Sequence, residues 1–218
     1  MNRLLLLIGL CVLLAGPAMA QEQHRRPVDI TQYLEHLDST ARDRDQKPGL
    51  VIDALRLKPG MAVADLGAGS GYFTRRFVEA VTETGMVYAV DVDSEMLAYA
   101  KESVIHMHIA YTAEFILAQP DNPKLPFESV DLLFVCNTIH HLEDRFKYFR
   151  DRASSLKPGA RISIIDFYPD ERSGDLGFPK HHLVSRDTIV QEMAAAGYQL
   201  AREHSFLPKQ YFLEFVTK

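Results

Sequence analysis

The sequence predicts an α/β fold: a doubly wound, mostly parallel sheet of seven strands that ends in an antiparallel C-terminal hairpin. Strand-like and helix-like segments alternate five times, which is typical of parallel strands connected by helices on both faces of a sheet. The near-continuous apolar run 132–136 predicts a central strand that is buried on both faces. Two strand-like segments, 199–206 and 211–217, are separated by a short Pro-containing stretch and therefore predict the hairpin.

Length and composition indicate one domain. The chain has 218 residues, of which 47% are hydrophobic, enough for a substantial core. Its net charge of −5 argues against a nucleic-acid backbone as a partner. The oligomeric state is left open.

The first twenty residues, 1–20, have the pattern of a secretory signal peptide. Asn2 and Arg3 form a short positive region, 4–14 is an apolar run, and Ala18-Met19-Ala20 is a cleavage signal. We expect the mature protein to begin near Gln21 and to be periplasmic or secreted, without stable membrane association. An uncleaved N-terminal membrane anchor is the alternative.

Residues 21–46 read as a polar, partly helical extension that precedes the main domain, 47–218. A short helix is expected over 31–37, where apolar residues recur on one side. The charged stretch 39–47 has two interpretations, a solvated surface segment or a lid over a ligand site. Pro48 suits the first turn of the next helix, which ends before the first strand.

A glycine-rich turn is the strongest functional signal. The apolar run 61–66 predicts the first strand, and a helix is predicted to begin at Tyr72, after Gly67-Ala68-Gly69-Ser70-Gly71. Glycine lets a ligand approach the backbone, and free N–H groups at a helix N-terminus point into the same space. A dinucleotide fingerprint would place its third glycine at Tyr72, so a nicotinamide oxidoreductase is disfavoured.

Two carboxylates frame this turn. Asp65 precedes it, and Asp91 follows twenty residues after Gly71, at the end of the predicted second strand, 86–90. An acid in the position of Asp91 can accept hydrogen bonds from both hydroxyls of a ribose.

Asp65-Leu66-Gly67-Ala68-Gly69-Ser70-Gly71 together with Tyr88-Ala89-Val90-Asp91 resembles the class I S-adenosylmethionine (SAM) dependent methyltransferases, with a Rossmann-like sheet. The small-molecule enzymes of the ubiquinone/menaquinone C-methyltransferase group are most similar. The resemblance implies SAM as cosubstrate, a small-molecule acceptor and a set of cofactor-binding residues. These are Asp65, Gly67, Ala68, Gly69 and Gly71 for the methionine part, Asp91 for the ribose with Val92 beside it, Asp121 for adenine with Asn122 as second choice, and Asn137 near the methionine group or methyl.

The second half of the chain continues the alternation. A helix capped by Ser94 is followed by a third strand, expected over 114–118, and by a loop rich in proline. The apolar fourth strand leads to a helix expected over 144–156. A turn at 157–160 then precedes the fifth strand, 161–166, and a helix over 186–196. The irregular segment 168–179 between them is expected to cover the active face and, with Tyr168 and Phe178, to line the acceptor pocket.

Candidate catalytic groups follow the fourth and fifth strands. His140 and His141 follow the fourth strand, and a histidine suits proton transfer near neutral pH. His140 is the first choice of base, and Asp166 and the pair His181-His182 are further candidates. No metal site is expected, because His106 and His108 have no carboxylate cluster beside them.

The sequence therefore predicts a SAM-dependent methyltransferase that acts on a small molecule. SAM is made in the cytoplasm, whereas the signal peptide indicates export. An exported, non-catalytic SAM- or nucleoside-binding protein with the same fold is therefore the alternative.

Overall fold

The computed structural model describes residues 30–177 and 179–218. The predicted signal peptide, 1–20, and the start of the extension lie outside the described residues. The helices and strands, in chain order, are α1 Ile30–Leu37, α2 Thr40–Gln46, α3 Pro48–Leu55, β1 Ala62–Leu66, α4 Tyr72–Val81, β2 Met86–Asp91, α5 Ser94–Ile105, β3 Ala113–Leu117, β4 Val130–Cys136, α6 Arg145–Arg152, β5 Leu156–Phe167, α7 Arg186–Ala195, β6 Tyr198–His204 and β7 Gln210–Thr217.

The strands form one seven-stranded sheet in the order β3-β2-β1-β4-β5-β7-β6. The first five strands of the chain run parallel, and β7 is antiparallel to both β5 and β6. The predicted fold class is confirmed. Because β1 lies between β2 and β4, its connections leave towards opposite edges, which opens a crevice at the carboxyl ends of the strands.

Helices cover both faces of the sheet. On one face, Phe73 and Phe77 of α4 pack edge-on against Phe134 of β4, with ring centroids 4.8 and 5.0 Å apart. On the other face, the fully buried Phe149 of α6 belongs to the same apolar cluster as Ile162 of β5. The continuous apolar run of β4 is thus explained, because both of its faces are buried.

The fifth strand differs from its prediction. It begins at Leu156 rather than at 161, and α6 ends at Arg152, short of the predicted 156. Val130 of β4 pairs with Leu156, whereas Leu132 pairs with Arg161, so the register shifts inside the pairing. The expected turn at 157–160 is therefore an irregularity within β5, which bulges without leaving the sheet.

The N-terminal extension is helical and lies against the glycine turn. Asp38, between α1 and α2, accepts hydrogen bonds from Ser70 Oγ at 2.9 Å and from Arg75 at 2.8 Å. Lys209 Nζ donates to Asp45 Oδ2 at 2.7 Å. Asp45 therefore anchors one side of the charged stretch 39–47 to the domain, and the other side of the stretch is exposed. Within the described residues, no helix is both long and apolar enough to span a membrane.

Candidate active site

A large cavity lies at the carboxyl ends of β1, β2 and β4. Its volume is about 1500 Å³, whereas pockets for one small ligand usually measure about 300–1,000 Å³. The glycine turn, Asp91, Asn137 and His140 all line it, and Tyr33 of α1 contributes from the extension. The cavity has room for a nucleoside cosubstrate and a second small molecule together.

The glycine turn is held by the neighbouring strands. The N–H groups of Gly67 and Ala68 both donate to the Val90 carbonyl, at 2.8 and 3.0 Å. Gly67 has φ +74°, and a Cβ there would overlap the side chain of Thr138, which follows β4. Gly69, by contrast, has no atom closer than 3.8 Å to the place of a Cβ. The turn therefore packs tightly on its strand side and is open at Gly69.

Asp91 ends β2 and faces the cavity. Its Oδ2 accepts from the Gly69 N–H at 2.8 Å, and its Oδ1 accepts from the Asp93 N–H at 3.0 Å. Burial raises the pKa of Asp91, and these two backbone donors oppose that rise. A carboxylate oxygen has more than one lone pair, so Asp91 retains capacity for two ligand hydroxyls.

Asp65 lies behind the turn and does not line the cavity. It is buried, and its Oδ2 accepts from Thr74 Oγ1 of α4 at 2.7 Å. Burial raises the pKa of Asp65 from 3.8 to about 6. Asp65 therefore connects β1 to α4, and its expected contact with the methionine group stays a prediction. Gly71 is also outside the lining, at the N-cap of α4.

The residues after β3 are those from which a contact with adenine was expected. Gln119 and Pro120 line the large cavity, together with the exposed Val92. Asp121 lines a neighbouring hollow of about 220 Å³. The side chain of Asn122 accepts from Arg152 at 2.8 Å and from the Lys124 N–H at 2.9 Å, so it braces the loop. Gln119 follows β3 closely and lines the large cavity, whereas the adenine contact of Asp121 stays a prediction.

Asn137 ends β4 in a left-handed conformation, with φ +55°. Its Oδ1 accepts from Gln210 Nε2 of β7 at 2.5 Å, and both amides converge on Gln46 Oε1 of α2. Asn137 therefore lines the same cavity as the glycine turn, and it is held there by two residues that sequence reasoning did not identify.

His140 and Asp166 form a buried pair. Nδ1 of His140 lies 2.7 Å from Asp166 Oδ2 and 3.0 Å from Oδ1. The Phe167 N–H donates to Asp166 Oδ1 at 2.8 Å and so fixes the carboxylate. A carboxylate only accepts, so Nδ1 carries the proton and Nε2 is the basic nitrogen. The structure joins two residues that the sequence offered as separate candidates.

Two further imidazoles surround this pair. The ring centroid of His141 lies 4.2 Å from that of His140, and the centroid of His182 lies 5.3 Å away. Both line the cavity, whereas His181 does not. Tyr168 is also outside the lining and packs on Tyr211, with centroids 5.7 Å apart. Phe178 lies outside the described residues.

The extension supplies cavity residues that the sequence pattern did not identify. Ile30, Tyr33 and Leu37 of α1 and Arg42 of α2 line the side that faces the glycine turn. The expected helix over 31–37 carried a partial signal, because its apolar residues recur on one side. In the part of the chain that the structure describes, no three His, Cys, Asp or Glu side chains are arranged to hold a metal ion.

Comparisons with known proteins agree with this geometry. A family model described as a methyltransferase domain matches residues 63–159, which hold the glycine turn, Asp91 and His140. Residues 63–159 are therefore similar to a methyltransferase domain, and this match supports the prediction of a SAM-dependent methyltransferase.

Individual relatives extend the match. The chain is 28% identical to a SAM-dependent methyltransferase from Aquifex aeolicus, with a TM-score of 0.79 over 88% of this chain and 100% of that one. It is 28% identical, over 116 residues, to the ubiquinone/menaquinone biosynthesis C-methyltransferase UbiE of Escherichia coli. That match covers 53% of this chain but only 46% of the relative. A methyltransferase from Mesorhizobium loti, at 19% identity, shares the fold with a TM-score of 0.63 over 82% of this chain and 99% of that one.

Proposed function

We propose that this chain transfers the methyl group of SAM to a small molecule whose acceptor atom is deprotonated by His140. One observation carries the proposal: the glycine turn, Asp91 and His140, which is paired with Asp166, all line the same cavity. A cofactor site and a base in one cavity are what methyl transfer to a weakly acidic group requires.

The residues at the turn fit SAM. The open position at Gly69 gives a ligand access to the backbone, and Asp91 suits the ribose hydroxyls. Gln119 and Pro120 suit the adenine end, and Asn137 suits the methionine end. When bound, SAM supplies an electrophilic methyl group on a sulfonium. Holding donor and acceptor in line contributes on the order of 7–11 kcal/mol.

His140 acts as the general base. Its Nδ1–H donates to Asp166, which orients the ring and leaves Nε2 to take the proton from the acceptor. Asp166 is fully buried, so its carboxylate also stabilises the imidazolium that forms. Groups placed in this way contribute about 10²–10⁴-fold to rates.

The lining supports a largely apolar acceptor with one acidic hydroxyl, such as a phenol or a hydroquinone. Ile30, Tyr33 and Leu37 give one apolar wall, and Leu142 and Tyr148 lie on the side of His140. The quinone pathway enzyme named among the relatives is consistent with such an acceptor. The chain spans about half the length of that relative, so the acceptor is proposed here on the lining and the base.

Isotope-labelled SAM and a panel of phenols and hydroquinones test this function. We expect labelled product from the wild-type chain, and a loss of about 10²–10⁴-fold in kcat in His140→Asn. Binding of S-adenosylhomocysteine is expected to stay within about twofold, since His140 does not belong to the cofactor end. Unchanged kcat in His140→Asn would refute the role of the base. Tight binding without any labelled product would favour the non-catalytic binding protein.

We further propose that residues 1–20 direct export to the periplasm. The support is their positive start, apolar run and Ala-x-Ala signal. A fusion of 1–29 to a reporter enzyme that folds only after export would test it. Activity of the reporter, lost when the apolar run is interrupted by two charges, is expected; an inactive reporter contradicts export.

A further inference from the structure

Arg42 is held in a defined orientation by Tyr72. Its guanidinium carbon lies 3.8 Å from the centroid of the Tyr72 ring, and that of Arg76 lies 4.1 Å from the same centroid. The Tyr72 ring is buried, and its hydroxyl donates to Asp43 Oδ1 at 2.5 Å. Cation–π stacking on a fixed ring restricts the freedom of the Arg42 side chain. Tyr72 occupies the position where a dinucleotide fingerprint has its third glycine, and in this structure its ring holds Arg42.

Arg42 is also a cation without a counter-ion in the described part of the protein. Its Nη1 donates to the Leu37 carbonyl at 2.8 Å, but no carboxylate of the described residues lies within ion-pair distance. The neighbouring Arg75 and Arg76 differ, since they pair with Asp38 and Asp43 at 2.8 and 3.3 Å. A partly buried guanidinium that faces a cavity is therefore available to an anionic ligand group.

The position of Arg42 relative to the strands shows at which end of the cavity it lies. Adenine is assigned to the end of β3 and ribose to Asp91 at the end of β2, so the methionine part falls at β1 and β4. Arg42 stacks on Tyr72, the first residue of α4 after the glycine turn, and donates to the carbonyl of Leu37, whose Cδ1 would lie 3.8 Å from a Cβ at Gly69. Arg42 therefore lies at the methionine end.

Arg145 is the other arginine of the described lining, and it is already neutralised. Its guanidinium donates to both carboxylate oxygens of Glu192, at 2.6 and 2.9 Å. Asp91, Asp93 and Glu95 give the ribose side a negative charge, which repels a carboxylate. Arg42 is thus the cation that suits the one anionic group of SAM.

We propose that Arg42 binds the carboxylate of the methionine moiety of SAM, and that Tyr72 is the positioning residue that aims it. The inference rests on the proposed function and extends its cofactor site to the N-terminal extension. The segment that sequence reasoning left between a solvated surface and a lid becomes part of the binding site.

Two ligands that differ in the amino-acid tail test this proposal by calorimetry on the full chain. S-adenosylhomocysteine carries the carboxylate, and 5′-methylthioadenosine lacks the whole tail. In Arg42→Met we expect the Kd of the first to rise about 10–100-fold, the scale of a charge-assisted pair of hydrogen bonds, and the Kd of the second to change less than twofold. Arg44→Met is the matched control, because Arg44 is on the same helix with a side chain that is 77% exposed, and it should change neither.

The positioning role has its own readout. Tyr72→Phe keeps the ring and should keep the preference for the ligand with the carboxylate, whereas Tyr72→Leu should lose about 3–10-fold of that preference, a part of the Arg42 effect. Binding of 5′-methylthioadenosine reports whether each variant is folded. Equal losses for the two ligands, or none, in Arg42→Met would overturn the inference and leave the proposed function standing. A wild-type chain that binds neither ligand overturns both.

Discussion

Gly67→Ala tests how tightly the glycine turn packs on the sheet. Gly67 has φ +74°, and a Cβ there would lie 2.8 Å from Thr138 Cβ and closer still to its Oγ1 and Cγ2. Real Cβ atoms do not approach so closely, so β4 or the turn must shift. Gly69→Ala is the matched control, since it has φ +55° but no neighbour nearer than 3.8 Å.

The two variants separate strain from overlap. A left-handed alanine costs about 1–2 kcal/mol in either position. Overpacking in a well-packed region adds about 1–3 kcal/mol, and this term applies only to Gly67→Ala. We therefore expect Gly67→Ala to be less stable than Gly69→Ala by about 2 kcal/mol, which corresponds to about 4–8 °C in Tm for a domain of this size.

Thermal and urea unfolding of both variants measure the difference, and Thr138→Ala provides the rescue. Removing Oγ1 and Cγ2 should recover more than half of the additional loss of stability in Gly67→Ala, and none of the loss of stability in Gly69→Ala. Equal losses for the two glycine variants, or a double variant that is simply additive, would refute the overlap argument.

Three further predictions concern buried or ligand-facing carboxylates. The pKa of Asp65 is raised to about 6, so the folded protein binds a proton there more readily than the unfolded chain, and the stability that this proton contributes is lost as the pH rises from about 4 to 6. In urea unfolding, the free energy of unfolding of Asp65→Asn relative to the wild type should therefore rise by up to about 3 kcal/mol between pH 4 and pH 7. Glu214 is buried and pairs with two arginines and with a histidine at 2.8 Å, so Glu214→Gln should cost about 3–5 kcal/mol in thermal unfolding. Asp151→Asn, which breaks an exposed pair, should cost below about 1 kcal/mol. S-adenosylhomocysteine at 100 times its Kd should add about 2.7 kcal/mol to the wild type, a rise in Tm of about 5–10 °C that Asp91→Ala should abolish.

Each of these has a contrary result. A constant difference between Asp65→Asn and the wild type across pH would mean that Asp65 titrates normally. Similar losses in Glu214→Gln and Asp151→Asn would mean that the buried cluster is not coupled. A ligand-induced rise that survives Asp91→Ala would remove Asp91 from the binding site.

The parts of the fold that follow from local pattern could be predicted. The strand–helix alternation and the glycine turn depend on residues close in sequence, and Gly67, Asp91 and Asn137 line one cavity. Parallel strands place their carboxyl ends along one edge, so these residues had to meet once the alternation was recognised.

Long-range pairing decided what the pattern could not. The extended β5 arises because Val130 pairs with Leu156 before the register shifts, and no local signal at 157–160 reveals that partner. An acid next to a glycine turn can contact a ligand or brace the turn, and no local signal revealed that Asp65 accepts a hydrogen bond from Thr74 of the next helix. A proline-rich loop likewise gives no reliable direction to its side chains, so the sequence did not show that Gln119 lines the large cavity and Asp121 the neighbouring hollow.

The His140–Asp166 pair and the N-terminal extension differ in how far the sequence could predict their positions. His140 and Asp166 are 26 residues apart, yet they lie at the carboxyl ends of adjacent parallel strands, so their neighbourhood was predictable although their hydrogen bond was not. The position of Arg42 could not be predicted in this way. Its helix belongs to no strand–helix repeat and is placed by its contacts with Tyr72 and the glycine turn. A residue that a repeat positions can be inferred from spacing, whereas one that a single tertiary contact positions can be found only in the folded chain. For this protein the proposed base, His140, is of the first kind, and the proposed carboxylate contact is of the second.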